Sequence, residues 1–403
     1  MEPSFIKALR KNFVTWASEQ DGSVDVDSVN LKYDNRDERV HISVSIQGSP
    51  IQFSVVVAQQ HVDTLNDDDS QRASLWQLIV NTLLYAASAA FYRDNYDLIF
   101  DHGFETTEVR LLPGGPDGCR YCGKREPDVS FAMKAHALPE AAGNTHLLSS
   151  DECDDCNQFF GRGIENEFAN FTNAARTIGQ VEGKNGIPTL LTRNGELAVS
   201  DGTTTIKVFN HDLIFLGDNP NELIVKLQRP SYIPISVLKC FHKMAVGVMP
   251  AEELSKFKTI IEWLRTASSA PLPVGVKSTI LEAHCISSKF QSGGCFLWQR
   301  KNANSTLPYM TFVLCFADFA YQLAITGADQ LDVKELSFTP FAWMLCSSPE
   351  LQSGIYTRNY DSVERRKGDE VEFSLFVPGG VRADVAAAIE SKNWALLQTH
   401  LTH

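Results

Sequence analysis

The sequence predicts a multidomain α+β protein, on three observations. Stretches with alternating apolar residues are interleaved along the chain with stretches whose apolar residues recur at helical spacing. At 403 residues, 44.8 kDa and 43% hydrophobic content, the chain can build two or three cores. Two Cys-x-x-Cys pairs lie close together near residues 119 and 153 and mark a compact module between larger flanks. The expected organisation is an N-terminal α+β domain over 1–104, a central module over 105–182, and a larger C-terminal α+β domain over 183–403.

In the N-terminal part, Phe5, Ile6, Leu9, Phe13 and Trp16 fall at helical spacing. Val40, Ile42, Val44 and Ile46 alternate, and Ile51 to Val57 continues as a second strand after the turn Gly48-Ser49-Pro50. Asp67, Asp68 and Asp69 precede a long helix expected over 71–93, where acids suit the positive end of the dipole; they read as a solvated cap rather than a metal site. Residues 95–118, rich in Gly and Pro toward their end, read as a turn-dense linker.

The central stretch runs CRYCGKREPDVSFAMKAHALPEAAGNTHLLSSDECDDCN. Cysteines two residues apart place both thiolates on one side of a tight turn, and two such knuckles complete a tetrahedral zinc site. Cys119, Cys122, Cys153 and Cys156 are the candidate ligands of a structural Zn2+. Val129, Phe131 and Met133 alternate as a strand would, ending near His136. Pro139 and Gly143 then impose a loop. Ser149, Ser150 or Asp151 can cap a following helix, with Cys153, Cys156 and Asn157 near its first turns.

CRYC, FAMKAHALPEAAGN around His136, and DECDDCN with Asn157 after the last cysteine together resemble the HNH endonuclease family, the zinc-bearing branch of the ββα-metal nucleases. The resemblance implies a central ββα-metal module and an enzyme that hydrolyses phosphodiester bonds. His136 would be the general base, since imidazole titrates near neutral pH. Asn157 matches the final metal-binding position, and Asn144 the middle asparagine that orients the histidine, by a bond to its backbone or its ring. The catalytic ion would be Mg2+ or Mn2+, held by hard oxygen ligands. His146 is an auxiliary phosphate contact or a purely structural residue. One position departs from the pattern: where the family commonly has an acid before the first histidine, this chain has Ala135. Either Asn157, waters and phosphate oxygens hold the ion alone, or the site is degenerate; Asp151, Glu152, Asp154 and Asp155 are nearby carboxylates whose direction spacing does not give.

Downstream, Gly161-Arg162-Gly163 interrupts the helix, which resumes over 164–178 with Phe168, Phe171, Ala175 and Ile178 on one face. Strands are expected over 204–209 and 223–227, a helix over 232–249 entered at Pro234, and an amphipathic helix over 251–264. Further strands are expected over 280–286, 295–299 and 310–316, and a last helix over 382–401. No Walker loop and no dinucleotide fingerprint occurs.

The net charge of −13 argues against a nucleic-acid partner for the surface as a whole, but residues 224–301 hold eleven Lys/Arg against four Asp/Glu. Lys239, Lys243, Lys256, Lys258 and Arg265 are therefore either a DNA-backbone surface or the solvent face of ordinary helices. Arg162 and Arg176 are read the same two ways. Nine cysteines, five of them isolated in apolar surroundings (Cys240, Cys285, Cys295, Cys315, Cys346), suit reduced core thiols. The N-terminal stretch lacks the apolar core of a signal peptide, and 75–91 reads as a buried helix, so a cytoplasmic protein with no membrane partner is expected.

The expected partner is DNA, with RNA as the other nucleic acid open to this chemistry. An HNH module between large flanks resembles bacterial anti-phage defence nucleases, and cutting both strands of a duplex suits a homo-oligomer. Two further readings stay open: a catalytically inert zinc-stapled module that binds nucleic acid or protein, and a nuclease effector gated by an activating ligand or partner protein.

Overall fold

The computed structural model describes residues 26–34, 39–46, 52–58, 91–104, 106–115, 118–183, 186–193, 195–200, 203–208, 214–217, 221–284, 293–317, 319–326, 354–377 and 380–392. The expected helix over 5–17, Cys285 and Cys346 lie outside them; of the helix expected over 71–93 only 91–93 is described, and it belongs to a helical run over 91–95. The chain forms two compact units, one of residues 1–97, 283–287 and 338–355, the other of residues 98–282, 288–337 and 356–403.

In the first unit, β1 (Val26–Asp34), β2 (Arg39–Ile46) and β3 (Gln52–Ala58) form an antiparallel meander. The alternation at Val40 to Ile46 marked β2; β1 was not expected, because its sequence VDSVNLKYD is half polar.

The second unit carries the site. β4 (Tyr96–Gly103) and β5 (Arg110–Leu112) lie within the stretch expected to be a linker. β6 (Ala135–His136), β7 (Leu147–Ser149) and the helix α1 (Asp154–Arg162) follow in the expected ββα order. α2 (Ile164–Ile178) resumes after Gly163. β8 (Leu190–Leu191), β9 (Gly195–Ser200) and β10 (Thr203–Val208) make one small antiparallel sheet. β11 (Ile214–Leu216) and β12 (Glu222–Gln228) begin another. The helix α3 (Pro234–Val248) starts with Pro234 in its first turn, where a missing N–H costs nothing, and Pro250 ends the run. The segment expected as one amphipathic helix is a 3-10 stretch, Ala251–Phe257, followed by α4 (Lys258–Leu264). β13 (Thr279–His284), β14 (Gly294–Arg300), β15 (Met310–Phe316), β16 (Phe319–Ile325), β17 (Gly354–Asn359) and β18 (Glu370–Phe376) lead to α5 (Ala383–Glu390).

The largest sheet among the described residues has the order β17-β13-β16-β15-β14-β4, and every residue of β15 is buried. Sheets buried on both faces read as continuous apolar runs, as MTFVLCF does. α2 and α3 share the main core with that sheet: Phe168 meets Phe241 edge to face at 5.4 Å, and Phe241 meets Tyr321 at 5.2 Å. The same core takes in Cys119, Tyr121, Leu138, Leu147 and Phe160 of the knuckle module. Cys240, Cys295 and Cys315 are buried free thiols.

All fifteen residues of α3 are buried, Lys239 and Lys243 included, each with 0% exposure. This corrects both readings of those lysines, as a DNA-facing surface and as the solvent face of an ordinary helix. Of the other residues in that group, Lys256 is bound to Glu253 and the hydroxyl of Tyr309. Lys258 and Arg265 line an open cleft of about 750 Å³ with Glu252 and Glu262, a surface of mixed sign. Arg176 is buried and Arg162 is exposed beside Gln158.

Candidate active site and zinc centre

The two knuckles converge as their spacing requires. The four Sγ atoms of Cys119, Cys122, Cys153 and Cys156 lie within 4.8 Å of one another. Sulfurs placed about 2.3 Å from a tetrahedral zinc stand roughly 3.8 Å apart, and Cys122 and Cys153 are 3.7 Å apart. Gly123 N donates to Cys119 O at 2.7 Å to close the first turn, and Cys153 N donates to the Cys119 sulfur at 3.5 Å. A hydrogen bond from Cys156 pulls the Cys119 thiol down to about 4, while the same bond raises Cys156. Four sulfurs crowded within 4.8 Å fit a zinc ion that takes all four as thiolates.

The second knuckle opens α1. Cys153 is its N-cap residue, so the expected cap at Ser149, Ser150 or Asp151 is corrected. Those side chains have other partners. Ser150 Oγ donates to Leu112 O at 2.7 Å. Asp151 accepts from Ser149 Oγ at 3.0 Å, Gly115 N at 3.0 Å, and Arg120 Nε and Nη2 at 2.6 and 3.1 Å. In the first turn, Asp154 accepts from Ser130 Oγ at 2.5 Å, Met133 N at 2.8 Å and Ala132 N at 3.2 Å. The Ser130 bond above all holds its carboxyl below the ordinary range. Asp154 thereby binds 130–133 as a loop, and the strand expected through Val129, Phe131 and Met133 shrinks to the two residues of β6.

β6 pairs antiparallel with β7, and β5 pairs parallel with β7 on its other side. The register separates two faces. Ala135, Ser149 and Leu112 are buried at 1%, 7% and 5% exposure. His136, Leu148 and Leu111 lie on the other face, where Leu111 is 61% exposed and His136 is half-buried.

Asn144 is buried and holds the loop between the strands closed. Its Nδ2 donates to Leu138 O at 2.8 Å and Leu147 O at 3.0 Å, and its Oδ1 accepts from His146 N at 3.2 Å and Leu147 N at 2.8 Å. The expected bond to the backbone or ring of His136 is replaced by these four bonds, which fix the hairpin carrying it. Gly143 turns the chain with φ 89° beside Val181, where a side chain would be strained. His146 bonds the Thr145 hydroxyl through Nδ1 at 2.6 Å.

Glu140 Oε1 stands 3.8 Å from His136 Nδ1, too far for a hydrogen bond to the neutral ring and close enough to favour the protonated one. Burial lowers the His136 pKa, against Glu140, with Lys243 lowering it further and Glu165 and the Thr145 backbone opposing. Burial thus favours the neutral imidazole, the state a base needs. Glu140 escaped the sequence reading although it lies four residues after His136.

Beneath the hairpin lies a charged cluster that spacing did not reveal. Lys243 Nζ is 3.0 Å from Glu165 Oε1 and 3.2 Å from Glu152 Oε2, and it donates to His136 O at 3.0 Å. Burial opposes its charge, and the two glutamates outweigh burial to raise its pKa.

For a catalytic ion, Asn157 offers a half-buried amide oxygen in the first turn of α1, and Ala135 offers no donor. The carboxylates of Asp151 and Asp154 are committed to the partners above, Glu152 is buried with only Oε2 paired to Lys243, and Asp155 is exposed. Among the described residues no helix is long and apolar enough to cross a membrane.

The HNH endonuclease family model matches residues 119–172, from the first knuckle cysteine into α2. No curated protein and no solved structure matches the chain. The match agrees with the resemblance drawn from CRYC, His136 and DECDDCN, and the cysteine cluster lies inside it. Residues 119–172 thus match a nuclease family model and hold a cysteine cluster suited to zinc.

Proposed function

We propose that the HNH module of this protein is a metal-dependent endonuclease that hydrolyses phosphodiester bonds in DNA, with His136 as general base and Asn157 as the protein ligand of a Mg2+ or Mn2+ ion. The observation that carries this reading is His136 itself: a half-buried imidazole, its neutral form favoured by burial, on the open face of a hairpin within the family-matched segment. In that position the ring takes a proton from an attacking water. Glu140, 3.8 Å from Nδ1, then stabilises the imidazolium. Asn144 keeps the hairpin rigid while this happens, which limits loss of alignment between base and water. A divalent ion bound at Asn157 would supply charge stabilisation at the phosphate and the leaving oxygen.

The chemistry acts on a backbone phosphate, so target choice lies with other parts of the chain. We assign that role to the regions flanking 105–182, which would select the target, bind an activating ligand or partner protein, or pair two copies for a double-strand cut. The biological setting we infer is cytoplasmic bacterial defence against phage DNA, by analogy with other HNH modules held between large flanks. Ala135 favours one competing reading, a zinc-stapled binding module without catalysis, because no carboxylate stands at the position before the base.

The test is cleavage by the purified full chain of plasmid, linear duplex, single-stranded DNA and RNA, in Mg2+, Mn2+ or EDTA, with and without cell extract. Metal-dependent cutting of DNA is expected. Cutting of RNA alone would move the substrate, and no cutting under any condition would leave the binding module.

A further inference from the structure

We infer that Lys243, which lies outside the family-matched segment, is a positioning residue for His136: its buried ammonium holds the histidine's carbonyl against the zinc knuckles and α2. The inference rests on the reading of His136 as the base. The ammonium meets three separate parts of the chain: it donates to His136 O in β6 at 3.0 Å, and it forms ion pairs with Glu165 Oε1 in α2 at 3.0 Å and with Glu152 Oε2, next to the ligand Cys153, at 3.2 Å. One side chain thus ties the base to both elements that frame α1, where Asn157 sits.

The helix that delivers Lys243 is itself fixed to the first knuckle. Tyr121 Oη donates to Lys243 O at 3.2 Å. Arg120 Nη1 donates to Val246 O, Gly247 O and Met249 O at 2.8, 2.7 and 3.3 Å. Both residues between the first pair of cysteines therefore hold the end of α3. Gly247 allows a close approach there, since a Cβ at that position would stand 2.6 Å from the carbonyl oxygen of Ala137, the residue after the base. An apolar side chain would fill the place of Lys243 with less desolvation. What the ammonium adds is directional: it fixes one backbone oxygen of the residue whose ring does the chemistry.

Two variants test this in the full-length protein. Lys243→Met removes the tether. Gly247→Ala keeps every charge and pushes on Ala137. For each, zinc content, thermal unfolding, kcat and KM on one duplex substrate, the NMR titration of His136 Cε1–H, and amide exchange at Ala137 are measured. A kcat lower by roughly 10- to 100-fold, at KM within about twofold and with zinc retained, is expected for both. The His136 resonance shifts and Ala137 exchanges faster. Folded, zinc-loaded variants that cut within about twofold of the parent and leave the His136 signal in place would overturn the inference. So would a loss confined to KM and global stability. If Lys243→Met does not fold, Gly247→Ala decides. If the parent cuts nothing, the nuclease reading fails, and the NMR and exchange data alone judge whether Lys243 positions the hairpin.

Discussion

Arg120 and Asp151 form a buried two-bond ion pair, with Nε 2.6 Å from Oδ1 and Nη2 3.1 Å from Oδ2, both side chains at most 5% exposed. The pair joins the two zinc knuckles without using a cysteine, and the remaining guanidinium nitrogen closes the end of α3. Removing one partner leaves the other charge buried and unpaired. Arg120→Met should therefore cost about 3–5 kcal/mol in urea unfolding. A change under about 1 kcal/mol, the worth of an exposed pair, would contradict the burial described.

Zinc removal should melt the module rather than merely silence it. The knuckles close tight turns on four thiols within 4.8 Å, and such sites contribute folding free energy directly. Dialysis against a strong chelator, followed by hydrogen exchange, should expose the amides of 119–124 and 147–157. Protection that survives loss of the metal would contradict a structural zinc.

The pH dependence of cleavage follows from burial of His136. A base is active when deprotonated, and its pKa is lowered from the ordinary 6.5. Cleavage should rise with an acid limb centred below 6.5 and level off through neutrality. Glu140→Gln removes a group that raises this pKa, so the limb should move to lower pH. Movement to higher pH would separate Glu140 from the histidine. The readout is the rate profile under single-turnover conditions.

Lys239 gives a prediction opposite in kind to its reading as a DNA contact. Its ammonium donates to Trp263 O at 2.8 Å, Ala267 O at 2.7 Å and Thr266 Oγ1 at 2.8 Å, at the end of α4. Lys239→Met should cost roughly 2–3 kcal/mol, since buried acceptors lose their donor. It should leave the salt dependence of DNA binding unchanged, whereas a phosphate contact would lower that slope by about one ion.

These lysines show what sequence could and could not convey. The zinc cluster, the ββα order and Asn157 at the start of α1 were legible, because each depends on residues close in the chain. Lys243 is held by Glu152 and Glu165 from another part of the sequence, so spacing along α3 could not distinguish an inward ammonium from a solvated one. β4 was hidden because YDLIFDHG carries charge on its exposed positions and leads into a Gly-rich turn region. The alternation of Val129, Phe131 and Met133 misled for a different reason: Asp154 takes the amides of Ala132 and Met133 that a strand would have paired. Asn144 was found by its place in the motif, while its bonding to Leu138 and Leu147 depends on how the loop closes.

The most direct measurement compares the full-length protein with His136→Ala in metal-supported plasmid nicking, at equal zinc content and equal thermal stability. Loss of nicking by about 100-fold or more in the variant, with binding of the plasmid retained, is the expected result for removal of a general base. Nicking at the parent's rate by a folded His136→Ala protein would contradict the assignment of His136 as the base.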